Sequence, residues 1–233
     1  MPAPLTPAMA LIAPCILAAD FSRLADGLEV IKDAGAALVH VDVMDGHFVP
    51  DITVGQSVIA SLRRATPLRL DVHLLIERPE RYVREFVKAG ANRLSVHPES
   101  TSQLHRVLGL IRDCGAEAGV ALNPATAVES INDVLGEIDF LTILSADPGI
   151  REQIFIPHSI SKLRIAARLK ESRAAAFALQ AEGGITLDNL DELIRVGTDI
   201  LVVGSAIFSS QNPSARLREM MRLTSAARQT SVV

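Results

Sequence analysis

The sequence predicts a parallel (β/α)8 barrel, and three observations carry that expectation. Short apolar runs of strand character recur eight times, with segments of helical spacing between them. Polar and ionisable residues stand at the C-terminal ends of many successive runs, as a barrel mouth requires; an open doubly wound sheet, the alternative, would gather them at its switch point. At 233 residues, the chain suits one substantial core better than two small ones.

The strand runs are Leu11 to Leu17, Leu38 to Met44, Leu68 to Leu75, Arg93 to His97, Ala116 to Leu122, Phe140 to Leu144, Ala176 to Glu182 and Asp199 to Gly204. Phe21 to Ala34 follows the first, with Leu24, Leu28 and Ile31 three and four apart and Gly35 as its stop. Ser57 to Arg64 is a shorter helical segment. Pro79 to Ala89 begins on proline and closes before Gly90, which places each residue where a helix tolerates it. Ser102 to Cys114, Ala125 to Leu135, His158 to Glu171, Leu187 to Val196 and Pro213 to Thr224 complete the alternation. No linker, charge-run boundary or low-complexity tract interrupts it. The expected organisation is a single domain over residues 1–233, with the barrel at about 11–224, a loose leader from Met1 to Pro7 and a frayed tail from Ser225 to Val233.

Composition excludes several classes of function. A net charge of −4 with no basic block, no Trp and one Tyr offers nothing to track a phosphodiester backbone or stack bases, so no nucleic-acid partner is expected. The apolar run from Ala8 to Ala19 is too short to span a bilayer and lacks the flanks of a signal peptide, so no membrane partner is expected either. Cys15 and Cys114 have neither metal-ligand spacing nor a disulfide pattern, which fits a reducing cytoplasm.

The most informative stretch runs from His40 to Pro50. Side chains alternate along a strand, so His40, Asp42 and Met44 share one face while Val41 and Val43 take the other. Two potential ligands thus aim at one point. Asp71-Val72-His73 repeats the arrangement on the next strand. A lone strand histidine is more often a hydrogen-bonded core residue, but an interior lined by four ionisable groups is costly unless they are paired or metal-bound. Nitrogen and carboxylate donors together suit one divalent ion of the zinc, iron, manganese or cobalt type.

Glycine-bearing turns, Gly183-Gly184 and Gly204-Ser205, follow the seventh and eighth runs. In barrels these two loops commonly seat a phosphate, because glycine admits close approach of backbone N–H groups to the anion. Glu182, immediately before the first turn, would face Asp42 across the mouth. Two opposed carboxylates can divide the work of inverting a carbon next to a carbonyl, one removing a proton and the other returning it. A metal and a phosphate seat together describe a pocket for a small phosphorylated metabolite.

These residues resemble the ribulose-phosphate 3-epimerase family. The resemblance is carried by Pro14 to Phe21, His40 to Pro50, Asp71-Val72-His73, Ala121 to Thr126, Asp147-Pro148-Gly149, Glu182-Gly183-Gly184 and Gly204-Ser205-Ala206, and it spans about residues 11 to 220. It implies a (β/α)8 barrel enzyme of the pentose phosphate pathway that interconverts ribulose 5-phosphate and xylulose 5-phosphate through an enediolate. It further implies that His40, Asp42, His73 and Glu182 bind metal, with Asp42 and Glu182 also the acid/base pair. Met44 would lie against the intermediate; Gly183, Gly184, Gly204 and Ser205 would hold the phosphate. Dimers or hexamers are common in the family, so a homo-oligomer is expected.

Several positions depart from the family pattern. Glu182 stands where the family has Asp, Cys15 where it usually has Ser, and Leu75 and Leu144 where it has methionines. The family's Pro-Gly-Phe-Gly-Gly-Gln loop becomes Pro148-Gly149-Ile150-Arg151-Glu152-Gln153, in which Gly149 keeps its place and Arg151 either engages phosphate or pairs with Glu152. These departures leave two other readings open, a paralogue acting on another ketose phosphate or a sugar-phosphate-binding protein with weakened catalysis. A barrel decarboxylase with Asp-x-Lys-x-x-Asp is disfavoured, since Met44 stands at the lysine's place.

Overall fold

The structure is a computed structural model that describes residues 9–150, 152–172 and 176–229, the last four as backbone only. Its strands are β1 (Leu11–Pro14), β2 (Leu38–Met44), β3 (Arg69–Leu75), β4 (Arg93–Val96), β5 (Glu117–Leu122), β6 (Phe140–Leu144), β7 (Ala178–Glu182) and β8 (Ile200–Val203). They form one parallel sheet in the order β1-β8-β7-β6-β5-β4-β3-β2. A bridge between Cys15 and His40 joins the two ends of that order, so the sheet curls into a nearly closed (β/α)8 barrel.

The helices are α1 (Leu24–Ala34), α2 (Gln56–Ala65), α3 (Val83–Ala89), α4 (Leu104–Asp113), α5 (Ser159–Ser172), α6 (Leu187–Arg195), α7 (Ser205–Phe208) and α8 (Pro213–Gln229). The outward strand residues Val39, Val41, Val43, Val72, Leu94, Val120 and Leu141 pack in one large core with Leu28 and Ile31 of α1, Leu163 of α5 and Leu193 of α6. A second, smaller cluster of Ala13, Cys15, Leu38, Phe140, Ala178, Ile200 and Val202 fills the barrel interior. The strict period of two thus separates the helix-facing side from the side that carries His40, Asp42, His73 and Glu182.

Four expectations are corrected. The first strand stops at Pro14, and Ile16–Ala18 is a turn of 3-10 helix, because Pro14 has no N–H to continue a ladder. The segment expected as a helix from Ala125 to Leu135 is a 3-10 helix over Val128–Glu137; buried Val128 and Ile131 and half-buried Val134 fall three apart, matching three residues per turn. A short helix, α7, follows β8, where only a loop was expected. The last helix does not end at Thr224 but continues to Gln229, since Ala226, Ala227 and Arg228 are good helix formers with no glycine or proline among them. The leader Met1 to Pro7 and residues 230–233 lie outside the described residues.

Candidate active site and metal centre

The strand register brings the ionisable residues together in two rows. His40 stands beside Asp71, Asp71 beside Arg93 and Arg93 beside Glu117; closer to the mouth, Asp42 stands beside His73. The loop that follows β2 is fixed locally. Asp45 accepts from the backbone N–H groups of His47, Phe48 and Glu77 at 2.8–2.9 Å, and Gly46 turns with φ +73°. Thr53 donates to the Asp42 carbonyl at 2.8 Å and accepts from Met44 N–H at 3.0 Å, which holds the end of β2 in place. Across the mouth, Ser145 Oγ lies 2.9 and 2.7 Å from the carbonyl oxygens of Glu182 and Gly183 and holds the end of β7.

Four side chains converge. Asp42 Oδ1 is 3.2 Å from His40 Nε2 and 3.0 Å from His73 Nδ1. Glu182 Oε1 is 3.2 Å from the same His73 Nδ1, and its Oε2 is 3.5 Å from His40 Nε2. One ligand atom from each of His40, Asp42, His73 and Glu182 lies within 4.8 Å of all the others, and all four residues are buried. Two imidazole nitrogens and two carboxylates, with Glu182 Oε2 buried and lacking a hydrogen bond, form a donor set that could hold a metal ion.

Charge within this group is strongly coupled. Burial works against the protonated form of His73, but the charges and hydrogen bonds of Glu182 and Asp42 outweigh it and hold the imidazole at about 9. His40 is likewise pushed well above its ordinary value, against burial, by Glu182 and Asp42. Asp42 is held well below the usual carboxylate range despite burial, by the charge and hydrogen bond of His40 and by His73. The carboxylates therefore hold protons on the two imidazoles, where a bound cation would take their place.

Asp71 does not face this centre. Its Oδ2 sits 2.9 Å from His40 Nδ1, on the far side of the ring, and accepts from Gln180 at 3.1 Å. Burial raises its pKa, but Arg93 and His40 outweigh that and hold it at about 2. A carboxylate in this position would fix the His40 tautomer and leave Nε2 free for a cation. Arg93 is wholly buried; it donates to Glu117 at 2.9 Å and to Gln180 at 3.3 Å, approaches Asp71 to 3.5 Å and lies 3.9 Å over the Phe140 ring.

Above the four side chains opens a cavity of about 450 Å³. Of the residues predicted for the site, Cys15, Asp42, Met44, Gly149, Glu182, Gly183, Gly204 and Ser205 line it, with Phe21, Ile52 and Ile150 at its walls. His40 and His73 lie wholly buried, outside this lining. Gly184 does not line the cavity. Its turn, at φ +64°, packs against Phe155, where a Cβ would come within 2.7 Å of a backbone nitrogen. Arg151 lies outside the described residues. Cys15 donates its thiol to Asp42 Oδ2 at 3.3 Å; burial, then the Asp42 charge, push its pKa well up, so it is a hydrogen-bond donor and not part of the ligand group.

Sequence reasoning missed His97, Glu99 and Arg93. His97 Nε2 lies 2.9 Å from His73 Nε2, with Phe48 packed on its ring at 4.8 Å between centroids. Its place directly after β4, next to the strand that carries His73, was the available signal.

Comparison with known proteins shows the family. Residues 11–208 match the pattern of the "Ribulose-phosphate 3 epimerase family". The chain belongs to that family. It is 40% identical over 215 residues to the ribulose-phosphate 3-epimerase of Aquifex aeolicus, covering 92% of this chain and 97% of that one. The Bacillus subtilis ribulose-phosphate 3-epimerase is 38% identical over 210 residues, 90% of this chain and 97% of the other. The family is one of isomerases, so the chain is an enzyme of the class acting on carbohydrate phosphates. Solved structures share the fold at low identity. The thiamine phosphate pyrophosphorylase of Pyrococcus furiosus superposes with TM-score 0.65 at 15% identity, over 94% of this chain and 96% of that chain. KGPDC from Streptococcus mutans superposes with TM-score 0.67 at 14% identity, over 93% and 99%. Among the described residues no helix is long and apolar enough to cross a membrane.

Proposed function

We propose that this epimerase interconverts D-ribulose 5-phosphate and D-xylulose 5-phosphate through an enediolate, with Asp42 and Glu182 as the acid/base pair. The observation that carries the reading is the placement of two carboxylates, from β2 and from β7, within hydrogen-bond distance of one histidine nitrogen at the floor of a cavity. Inversion at C3 requires a proton to leave one face of the carbon and another to arrive on the opposite face. Asp42 and Glu182 enter the cavity from different strands, so each can serve one face, and either direction of reaction exchanges their roles.

His40, Asp42, His73 and Glu182 would hold a divalent cation of the zinc, iron, manganese or cobalt type. Such a cation supplies positive charge where the enediolate oxygens develop negative charge. The Cys15 thiol, donating to Asp42 Oδ2, orients that carboxylate. Gly183, Gly204 and Ser205, on the loops after β7 and β8, present backbone N–H groups to the phosphate, and Met44 supplies an apolar wall. The reading places the enzyme in the cytoplasm, as a single-domain barrel that assembles into a homo-oligomer.

The test is solvent exchange. Metal-loaded protein in deuterium oxide should replace the C3 hydrogen of ribulose 5-phosphate with deuterium and yield xylulose 5-phosphate. No exchange with this substrate, with exchange on a four- or six-carbon ketose phosphate, would transfer the assignment to that sugar. This second reading is favoured by the longer Glu182 side chain and by Ile150 at the cavity wall. No exchange with any of them, despite bound metal, would leave a sugar-phosphate-binding protein. Glu182→Asp separates the first two, because moving a carboxylate by about an ångström can cost on the order of a hundredfold in rate when the geometry belongs to the native substrate.

A further inference from the structure

His73 reaches the four-residue centre with Nδ1 and turns Nε2 away, onto His97 Nε2 at 2.9 Å. Two ring nitrogens at that distance share one hydrogen, so one donates and the other accepts. The neighbours of His97 decide which. Its Nδ1 makes no hydrogen bond but faces Glu99 Oε2 at 3.5 Å, and the negative charge of a carboxylate, which can only accept, favours a proton on the nitrogen turned towards it. The His97 proton therefore belongs on Nδ1, which leaves Nε2 with its lone pair towards His73.

We propose that His97 is a positioning residue for the metal ligand His73, accepting the His73 Nε2–H so that Nδ1 carries the lone pair offered to the cation, and that Glu99 holds His97 in the tautomer able to do so. The inference rests on the metal reading given above and goes beyond the four ligands. It assigns the ligands different supports. His40 is backed by an anion, Asp71, whereas His73 is backed by a neutral ring whose own anion stands one residue further out.

The outer end of this chain is anchored. Glu99 Oε1 accepts from Asn123 Nδ2 at 3.0 Å and from the Thr126 hydroxyl, both in the loop after β5. Lys162 of α5 donates to the carbonyls of Asn123 at 2.6 Å and Pro124 at 3.2 Å and holds that loop. Phe48, from the loop after β2, covers the His97 ring. Glu99 is thus fixed from two further elements, and His97 cannot turn without displacing Phe48. The sequence Asn123-Pro124-Ala125-Thr126, which the acid/base chemistry leaves without a task, acquires one as the clamp on Glu99.

The experiment combines a spectrum with metal affinity. In zinc-loaded wild-type protein, long-range proton–nitrogen correlation NMR should show His73 protonated at Nε2 and metal-bound at Nδ1. Competition against a chelator should show His97→Leu, which removes the acceptor, weakening zinc by about ten- to a hundredfold. His97→Gln, whose amide oxygen can accept from His73 while its amide N–H faces Glu99, should restore most of that affinity. The inference is overturned if His97→Leu binds zinc as tightly as wild type, if His97→Gln is as weak as His97→Leu, or if His73 carries its proton on Nδ1 in the zinc form. A wild-type protein that binds no zinc, iron, manganese or cobalt overturns the metal reading itself, and the role of His97 with it.

Discussion

At the scale of single residues, protons occupy the nitrogen atoms that a cation would need. The His73 pKa rises from an ordinary 6.5 to about 9, because Glu182 and Asp42 outweigh burial. At pH 7 the folded protein therefore holds a proton on His73 that an incoming metal must displace. Metal affinity should climb as pH rises towards 9, and binding at pH 7 should release protons, since His40 is raised in the same direction. Calorimetry in buffers of different ionisation enthalpy measures that release; a binding enthalpy independent of buffer would contradict it. Substituting Asp42→Asn removes one of the two proposed proton carriers, and C3 exchange should fall by about 10²–10⁴-fold. Exchange into ribulose 5-phosphate followed by proton NMR gives the rate.

Between elements, the barrel interior beneath the centre depends on a glycine whose role is invisible along the chain. A Cβ on Gly119 of β5 would fall 2.2 Å from the ring of Phe140 on β6, and that ring lies under the Arg93 guanidinium of β4. Gly119 is there because the aromatic ring needs its space. Gly119→Ala should cost about 1–3 kcal/mol through overpacking, seen as a lower urea midpoint with an unchanged slope. The elements themselves are largely legible in the sequence: all eight strands fall inside the apolar runs, because a strand buried on both faces shows as a short continuous apolar run, which is a local property. The 3-10 character of Val128–Glu137 is not legible in the sequence, because spacings of three and four are mixed over so short a stretch. The helix α7 was hidden because four residues carry too little pattern to register. Among the site residues, His40, Asp42 and His73 were readable from strand alternation. His97 was not, because its neighbour His73 is 24 positions away and only strand pairing makes them touch.

Over the whole molecule, two networks tie the barrel together, one for ligands and one beneath it. The buried ion group joins β3, β4, β5 and β7: Arg93 bonds Glu117 and Gln180, stands by Asp71, and Glu117 also pairs with Arg69. Arg93→Met would leave buried carboxylates without their cation and should destabilise the protein by about 3–5 kcal/mol in denaturant unfolding. Asp71 gives the matching pH dependence. Its carboxyl is at about 2 when folded against 3.8 otherwise, so its stabilisation is complete above pH 3.8 and is lost as pH falls through 2. Acid unfolding of Arg93→Met should accordingly begin at higher pH than in wild type. The centre above should respond to metal in the same way that any native-state ligand acts. A cation at a hundred times its dissociation constant stabilises by about 2.7 kcal/mol, so chelator-treated protein should melt at a lower temperature and recover on adding metal back.

The sequence by itself determined the alternation of strands and helices, the face on which His40, Asp42, His73 and Glu182 lie, and the glycine turns after the seventh and eighth strands. Each of these follows from neighbours in the chain, through the period of two in strands and the conformational freedom of glycine. Only the tertiary structure decided which ionisable residues meet. It turned Asp71 away from the centre onto the back of His40, set Cys15 on Asp42 as a donor, moved Gly184 from the cavity to a packing turn, and brought His97 and Glu99 behind His73. Those outcomes depend on the register of neighbouring strands and on the closing of the barrel between Cys15 and His40, which fix distances between residues far apart in sequence. A local pattern says which way a side chain points; the closed barrel sets what it meets there.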